Sequence, residues 1–311
     1  MSLLRHFLIT LSHNPQMQDW IVAIPISRQV ARRFVAGEVL SSAISVVRAL
    51  NERGIAATLD HLGENVTNAA EARTAVADYN DALNAIATTG IRSGISIKLT
   101  QLGLDISDDL CYDNVCQVLE KAAEHNRFVR IDMEGSDYTE RTLQIYRKLR
   151  QRYDNVGIVI QAYLYRSESD VRSLIEEGIA DIRLCKGAYD EPPHIAYPDK
   201  ADVDRNFINL TRAMFEHTGK DQGVRLAVAS HDERIIDYAR AYVYHHQIPP
   251  DAFEFQMLYG IRRERQQQLA DEGYGVRIYV PYGSAWYPYF MRRLAERPAN
   301  LLFFLQALVG D

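Results

Sequence analysis

Short apolar segments separated by amphipathic stretches recur along most of this chain, and that alternation restricts its fold more than any other feature. Strands are expected at residues 57–62, 95–99, 129–133, 157–162, 181–185, 224–229, 253–257 and 276–280. Helical spacing of apolar residues marks 67–89, 109–125, 139–152, 168–177, 203–217, 232–246 and 261–271, after an earlier helical pattern over 33–50. Several strands are nearly continuous apolar runs, the pattern of parallel strands covered on both faces. Eight strands alternating with helices fit an α/β fold, either a (β/α)8 barrel or a doubly wound sheet. The strand count and the polar residues gathered at strand ends favour the barrel, where those ends form one mouth. No Gly/Ser/Pro linker divides the 311 residues. They read as one domain, with N-terminal helices over 1–52, a barrel over 53–300 and a tail over 301–311.

Bulk numbers remove several function classes. A hydrophobic share of 47% and a charged share of 24% describe an ordinary globular chain. A net charge of −6, with no Lys/Arg run, argues against a nucleic-acid partner. The three cysteines, Cys111, Cys116 and Cys185, are odd in number and form no Cys-x-x-Cys pair. Neither a disulfide framework nor a metal site is suggested, and a reducing cytoplasm fits best. No apolar run approaches the roughly 20 residues that span a bilayer. The N-terminus lacks the features of a signal peptide, and the apolar stretch 301–309 reads as a core helix.

The strand ends deliver chemistry. Glu64 follows strand 1, Lys98 lies on strand 2, and Asp132 and Glu134 end strand 3. Gln161 and Tyr163 come from strand 4, Arg183 and Lys186 from strand 5, and Ser230 and His231 from strand 6. Gln256 and Tyr259 belong to strand 7, and Tyr279 to strand 8. A lysine in an apolar strand must be paired or face a wet cavity, and Asp132 on the neighbouring strand is the expected counterion of Lys98. In Lys186-Gly187-Ala188-Tyr189 small residues would let the backbone approach a flat or phosphorylated ligand. Ser136 and Asp137, with Glu140 behind them, look like a helix N-cap and capping box, and Ser230 or Asp232 would cap the helix at 232–246. There is no Gly-x-Gly-x-x-Gly and no P-loop.

Near the C-terminus an apolar strand turns through Pro281 and Gly283 into a helix bearing Tyr289, Arg292, Arg293 and Glu296 along one flank, stopped by Pro298. Adjacent guanidiniums repel unless an anion holds them, and their donor forks suit a carboxylate or phosphate. With Trp286, Tyr287 and Tyr289 crowding the same helix, it reads as a lid gripping an acidic small molecule.

Taken together these residues resemble the proline dehydrogenases, particularly the short monofunctional bacterial form. The resemblance runs from about residue 57 to 300. It is carried by 96–103 (Ser-Ile-Lys-Leu-Thr-Gln-Leu-Gly), 183–189 (Arg-Leu-Cys-Lys-Gly-Ala-Tyr), 253–260 (Phe-Glu-Phe-Gln-Met-Leu-Tyr-Gly), and 277–283 continuing to Arg292-Arg293-x-x-Glu296. It implies a distorted barrel with the last helix over the mouth. It also implies FAD-dependent oxidation of L-proline to Δ1-pyrroline-5-carboxylate, with electrons passed to a membrane quinone. By the same resemblance Arg292 and Arg293 hold the proline carboxylate with Lys98, while Tyr279, Tyr289 and Leu258 shape the pocket. Asp132 orients Lys98, and Glu64 gates the first arginine. Met133, Gln161, Arg183, Lys186, Gly187, Ala188, Tyr189, Ser230, His231 and Glu296 would meet FAD, with Arg183 beside the isoalloxazine. Ser230 stands where threonine is expected. The chain length leaves no room for a second catalytic domain, so a separate pyrroline-5-carboxylate dehydrogenase would act next. The implied location is cytoplasmic, peripheral at the inner membrane face. A methylenetetrahydrofolate-reductase-like barrel and a catalytically silent binding barrel are the alternatives.

Overall fold

Alternate residues of a strand go to opposite faces, and here the two faces carry opposite chemistry. In a computed structural model the described residues are Ile21, Ser27, 30–219 and 223–296, of which 295–296 are described by backbone alone. The strands are β1 (Ala56–His61), β2 (Ser93–Ile97), β3 (Val129–Ile131), β4 (Val156–Gln161), β5 (Asp181–Cys185), β6 (Arg225–Ala229), β7 (Phe253–Leu258) and β8 (Val276–Tyr282). They are parallel and close in chain order, β8 pairing back onto β1 through registers such as Thr58 with Tyr279. Helix α1 (Leu40–Glu52) precedes the barrel. The strands are then followed in turn by α2 (Ala69–Thr89), α3 (Asp108–Glu124), α4 (Ser136–Arg150), α5 (Ser167–Glu176), α6 (Lys200–Phe215), α7 (Glu233–His245), α8 (Arg263–Asp271) and α9 (Trp286–Glu296). The expected barrel is therefore the observed one.

The outward face is apolar. Ala57, Leu59, Ile95, Ile97, Val129, Ile131, Ile158, Ile160, Ile182, Leu184, Leu226, Val228, Phe255, Met257, Ile278 and Val280 are buried in one cluster with the inner faces of the helices. That annulus is the hydrophobic core. The inward face is charged. Asp132 follows β3 and Tyr279 lies on β8, which are not neighbours, so their 2.7 Å hydrogen bond crosses the lumen. A barrel interior is ordinarily filled by branched aliphatic side chains. Here Lys98 pairs with Asp60, Arg183 with Asp132, Arg130 with Asp181 and Arg277 with Glu254. Each of these cations thus has a carboxylate within 2.8 Å, the condition under which charge in a barrel interior is tolerated. Arg130 reaches Asp181 by passing over Gly157, where an added Cβ would lie 2.3 Å from Arg130 Nη1.

Local start signals account for several elements. Asn68 caps α2 by accepting from the N–H groups of Ala70 and Glu71, and Ser107 caps α3 by accepting from Leu110 N–H. Asp232 caps α7 through Arg234 N–H, as expected, and Ser230 Oγ accepts from Asp232 N–H at 3.1 Å. The expected capping box at α4 is corrected. That helix starts earlier, at Ser136, with Gly135 as an N-cap that makes no side-chain bond. The acceptor comes from the β5–α6 loop: Glu191 takes Ser136 N–H at 2.7 Å and Ser136 Oγ–H at 2.5 Å. A carboxylate at a helix N-terminus also meets the positive end of the helix dipole.

Helix α9 departs from the pattern of the others. Its Trp286, Tyr287, Tyr289, Phe290, Met291 and Leu294 pack with Phe34, Val35 and Leu62 in a cluster separate from the annulus. The segment before α1 is tied to the end of β8 by Ala36 N–H to Pro281 O and by Gly283 N–H to Gly37 O. Pro298 and the tail lie outside the described residues. Among the described residues no helix is long and apolar enough to cross a membrane.

Candidate active site

The mouth is assembled from residues at or just past the C-terminal ends of the strands. Lys98, one residue beyond β2, is buried, and its Nζ donates to Asp60 Oδ1 at 2.8 Å. Asp132 lies farther from it, at 3.9 Å. Burial disfavours the ammonium, yet Asp60 and then Asp132 more than offset this and hold Lys98 well above the ordinary lysine range. The nearer counterion is therefore Asp60, a fully buried carboxylate on β1. The expected orientation of Lys98 by Asp132 falls mainly to Asp60.

Asp132 has other partners. Its Oδ1 accepts from Arg183 Nη1 at 2.8 Å and its Oδ2 from Tyr279 Oη at 2.7 Å. Arg183 also donates from Nη2 to Ser96 Oγ at 3.1 Å and from Nε to Gln256 Oε1 at 2.5 Å. Its guanidinium stands 5.3 Å from the Tyr279 ring. Burial pulls the Arg183 pKa below the ordinary value, and Asp132 opposes the shift. Arginine lies so far above neutrality that it stays charged.

The ends of β4, β5 and β6 form a polar ledge. Gln161 donates from Nε2 to Glu134 O at 2.9 Å and accepts Ala188 N–H at 3.3 Å, which ties the strand end to the β5–α6 loop. Met133, two residues past β3, is buried. Gly187 takes φ +121°, and a Cβ there would lie 2.3 Å from the Tyr163 ring, so only glycine fits. Lys186 sits in a box of alternating charge. Its Nζ lies 2.5 Å from Asp204 and 2.7 Å from Asp232, while Lys200 bridges the same two carboxylates from the far side. Burial would raise Asp232, but Lys186 and Lys200 outweigh it and hold the carboxyl well below its usual range. His231 accepts Leu258 N–H on Nε2 at 2.9 Å, and Arg262 donates to its carbonyl at 2.7 Å. When neutral, the ring therefore carries its proton on Nδ1.

Helix α9 brings Tyr289, Arg292 and Arg293 to this mouth. Arg292 Nη1 donates to Glu64 Oε1 at 3.1 Å, from the loop after β1. Burial disfavours the Arg292 charge, but Glu64 and Tyr189 raise it above the ordinary range. Arg293 is buried, with its guanidinium 5.0 Å from the Tyr289 ring. Neither arginine is a solvated surface charge. The Glu296 side chain lies outside the described residues.

The family model for proline dehydrogenase matches residues 43–306. The chain belongs to the proline dehydrogenase family. It is 43% identical to proline dehydrogenase 1 of Bacillus subtilis (strain 168), over 99% of each chain. It is likewise 43% identical to the proline dehydrogenase of Deinococcus radiodurans, over 99% of this chain and 98% of that one. Among solved structures it is similar to proline utilization A from Bdellovibrio bacteriovorus inactivated by N-propargylglycine. That likeness has a TM-score of 0.80 at 28% identity and covers 87% of this chain but only 33% of the longer one. The chain is thus an oxidoreductase by family.

In this proline dehydrogenase family member the sequence assigns no role to Asp60, Lys200 or Asp204, nor to Ser96 and Thr100, although these last two lie in the 96–103 motif. Asp60 had a usable signal, since a carboxylate in an apolar strand is as anomalous as Lys98. Glu134 lies at the mouth by sequence, with no role that its position alone assigns. It is buried, and it accepts from Thr100 N–H at 3.1 Å and from Thr100 Oγ–H at 2.5 Å. Burial pushes its pKa up to about 7, against the pull of both Thr100 bonds.

Proposed function

We propose that this chain oxidises L-proline to Δ1-pyrroline-5-carboxylate with FAD as cofactor, and that the electrons pass on to a membrane quinone. The observation that carries the reading is Arg292 closed onto Glu64 above a mouth whose wall holds Lys98 and Arg183. FAD would be held by Gln161, Arg183, Lys186, Gly187, Ala188, Tyr189, Ser230, His231 and Glu296, with Met133 behind. The donor set suits that group: a buried cation deep in the mouth for a flat ring, a second, partly exposed cation for a diphosphate, and a glycine next to the second. When bound, FAD accepts the hydride, which no side chain of the mouth could do.

The chain's own residues bind and orient. Arg292 and Arg293 present donor forks to the proline carboxylate, and Lys98, kept charged by Asp60, adds a third cation. Tyr279, Tyr289 and Leu258 bound the pyrrolidine ring. Oxidation removes a hydride from the ring carbon beside nitrogen and a proton from the amine, leaving a C=N bond. The amine must be neutral when the hydride leaves, and crowded cations in a desolvated cavity disfavour an ammonium there. Asp132 joins Arg183 to Tyr279 and so fixes the wall against which the ring is set. The product would pass to a separate pyrroline-5-carboxylate dehydrogenase. The quinone would place the enzyme at the inner face of the membrane.

Anaerobic titration of the purified protein with L-proline tests this directly. A yellow flavin band should bleach stoichiometrically. A protein without flavin, or a flavin left oxidised by saturating L-proline, overturns the reading.

A further inference from the structure

Deeper in the lumen a line of polar contacts leads away from Arg183 through residues to which the proposed reaction gives no role. Arg183 donates from Nε to Gln256 Oε1, and Gln256 donates from Nε2 to Glu254 Oε1, each at 2.5 Å. The same Glu254 oxygen accepts from Arg277 Nε at 2.8 Å. A carboxamide taken alone can be turned either way, because its two ends are nearly alike in shape. Here the neighbours decide. A guanidinium only donates and an ionised carboxylate only accepts, so a single orientation satisfies both. Arg277 and Gln256 outweigh the effect of burial on Glu254 and keep its pKa low, so the carboxylate stays ionised. Turning the amide over would forfeit two bonds to charged groups, one buried and one partly buried.

The three partners of Arg183 come from different walls of the barrel. Ser96 and Asp132 hold the η nitrogens from the β2 and β3 side, while Gln256 takes Nε from β7 across the lumen. Without Gln256 the guanidinium keeps Ser96, Asp132 and the Tyr279 ring but loses its hold on Nε. A glutamate at this position would also grip Nε, but its negative charge would cancel part of the cation's field. Glutamine gives the grip without the charge, and Glu254 gives the orientation from one step farther away.

We propose that Gln256, locked in one amide orientation by Glu254, is a positioning residue that sets where the Arg183 cation lies and thereby the reduction potential of the cofactor. This rests on the proposed function, in which Arg183 lies beside the flavin ring. A cation fixed at the ring favours the reduced over the oxidised cofactor, so displacing or screening it lowers the potential.

The test is the midpoint potential of the FAD-loaded enzyme, read by equilibration with a reference dye, for wild type, Gln256→Leu and Gln256→Glu. Gln256→Leu should move the dye equilibrium about tenfold toward oxidised flavin, roughly 30 mV for a two-electron couple. Gln256→Glu should move it further in the same direction. A residue that only supports packing would lower the melting temperature and leave the potential alone, and that result overturns the proposal. If Gln256→Leu gives no folded holoenzyme, Gln256→Glu, which keeps an acceptor for Arg183, decides alone: an unchanged or raised potential overturns it. A wild-type protein without flavin overturns the proposed function instead, and this inference with it.

Discussion

Asp60 Oδ1 lies 2.8 Å from Lys98 Nζ inside the barrel, and both side chains are buried. Removing one member of such a pair leaves a buried charge uncompensated, which costs about 3–5 kcal/mol. Asp60→Asn keeps the shape and removes the charge, and Asp132 at 3.9 Å is too distant to take over fully. Urea denaturation should show a loss of about 3 kcal/mol.

Arg292→Met removes one fork of the α9 pair and leaves Glu64 without its 3.1 Å partner. Truncating a hydrogen-bonded charge at a closed site costs roughly 2–5 kcal/mol. The KM for L-proline should therefore rise more than tenfold, at about 1.4 kcal/mol per factor of ten. Bound flavin should be retained. Steady-state kinetics and an absorption spectrum of the same preparation check both halves.

Lys186→Met takes the central cation out of the charge box formed with Asp204, Asp232 and Lys200. The two carboxylates, no longer balanced, would then face the diphosphate. FAD affinity should fall about tenfold, a modest figure because Lys186 is partly solvent-screened. Flavin fluorescence quenching on titrating the apoprotein measures it.

Glu134 supplies a pH dependence. Its folded pKa is raised to about 7 from an ordinary 4.5, so between those values the folded state binds a proton that the unfolded state has lost. Stability must then fall as pH rises through that window, by about 3 kcal/mol in all. Glu134→Gln should flatten the slope. Chemical denaturation of both proteins at a series of pH values from 4.5 to 7 decides the matter.

Gly157→Ala inserts a methyl group where Arg130 crosses β4, 2.3 Å from Nη1 and 2.7 Å from Asp181 O. Overpacking of this kind costs about 1–3 kcal/mol. The Arg130–Asp181 pair, 2.6 Å apart, must give way. A lowered melting temperature with little change in KM is the expected outcome.

The barrel itself was legible because covered parallel strands read as apolar runs, and Lys98 stood out as a cation inside one. The partners were harder to see. Period-two alternation says which face a residue takes but not what it meets across the lumen, and Asp132 is 147 positions from Tyr279. The same limit hid Gln256 as the anchor of Arg183. At α4, local rules pointed to Ser136 and Asp137, whereas the actual cap is Glu191, 55 positions away in a loop with no helical signal of its own. The Asp232 cap of α7, made within one turn, is legible in the sequence; bonds that close a long circuit, such as Asp132 to Tyr279, appear only in the folded chain.

A bore lined with ion pairs leaves grease on one side of the staves alone. Peeling away a single outer helix would wet the strands beneath it front and back. Circular permutants should accordingly be opened in the turns that lead into strands, where every helix keeps its seat.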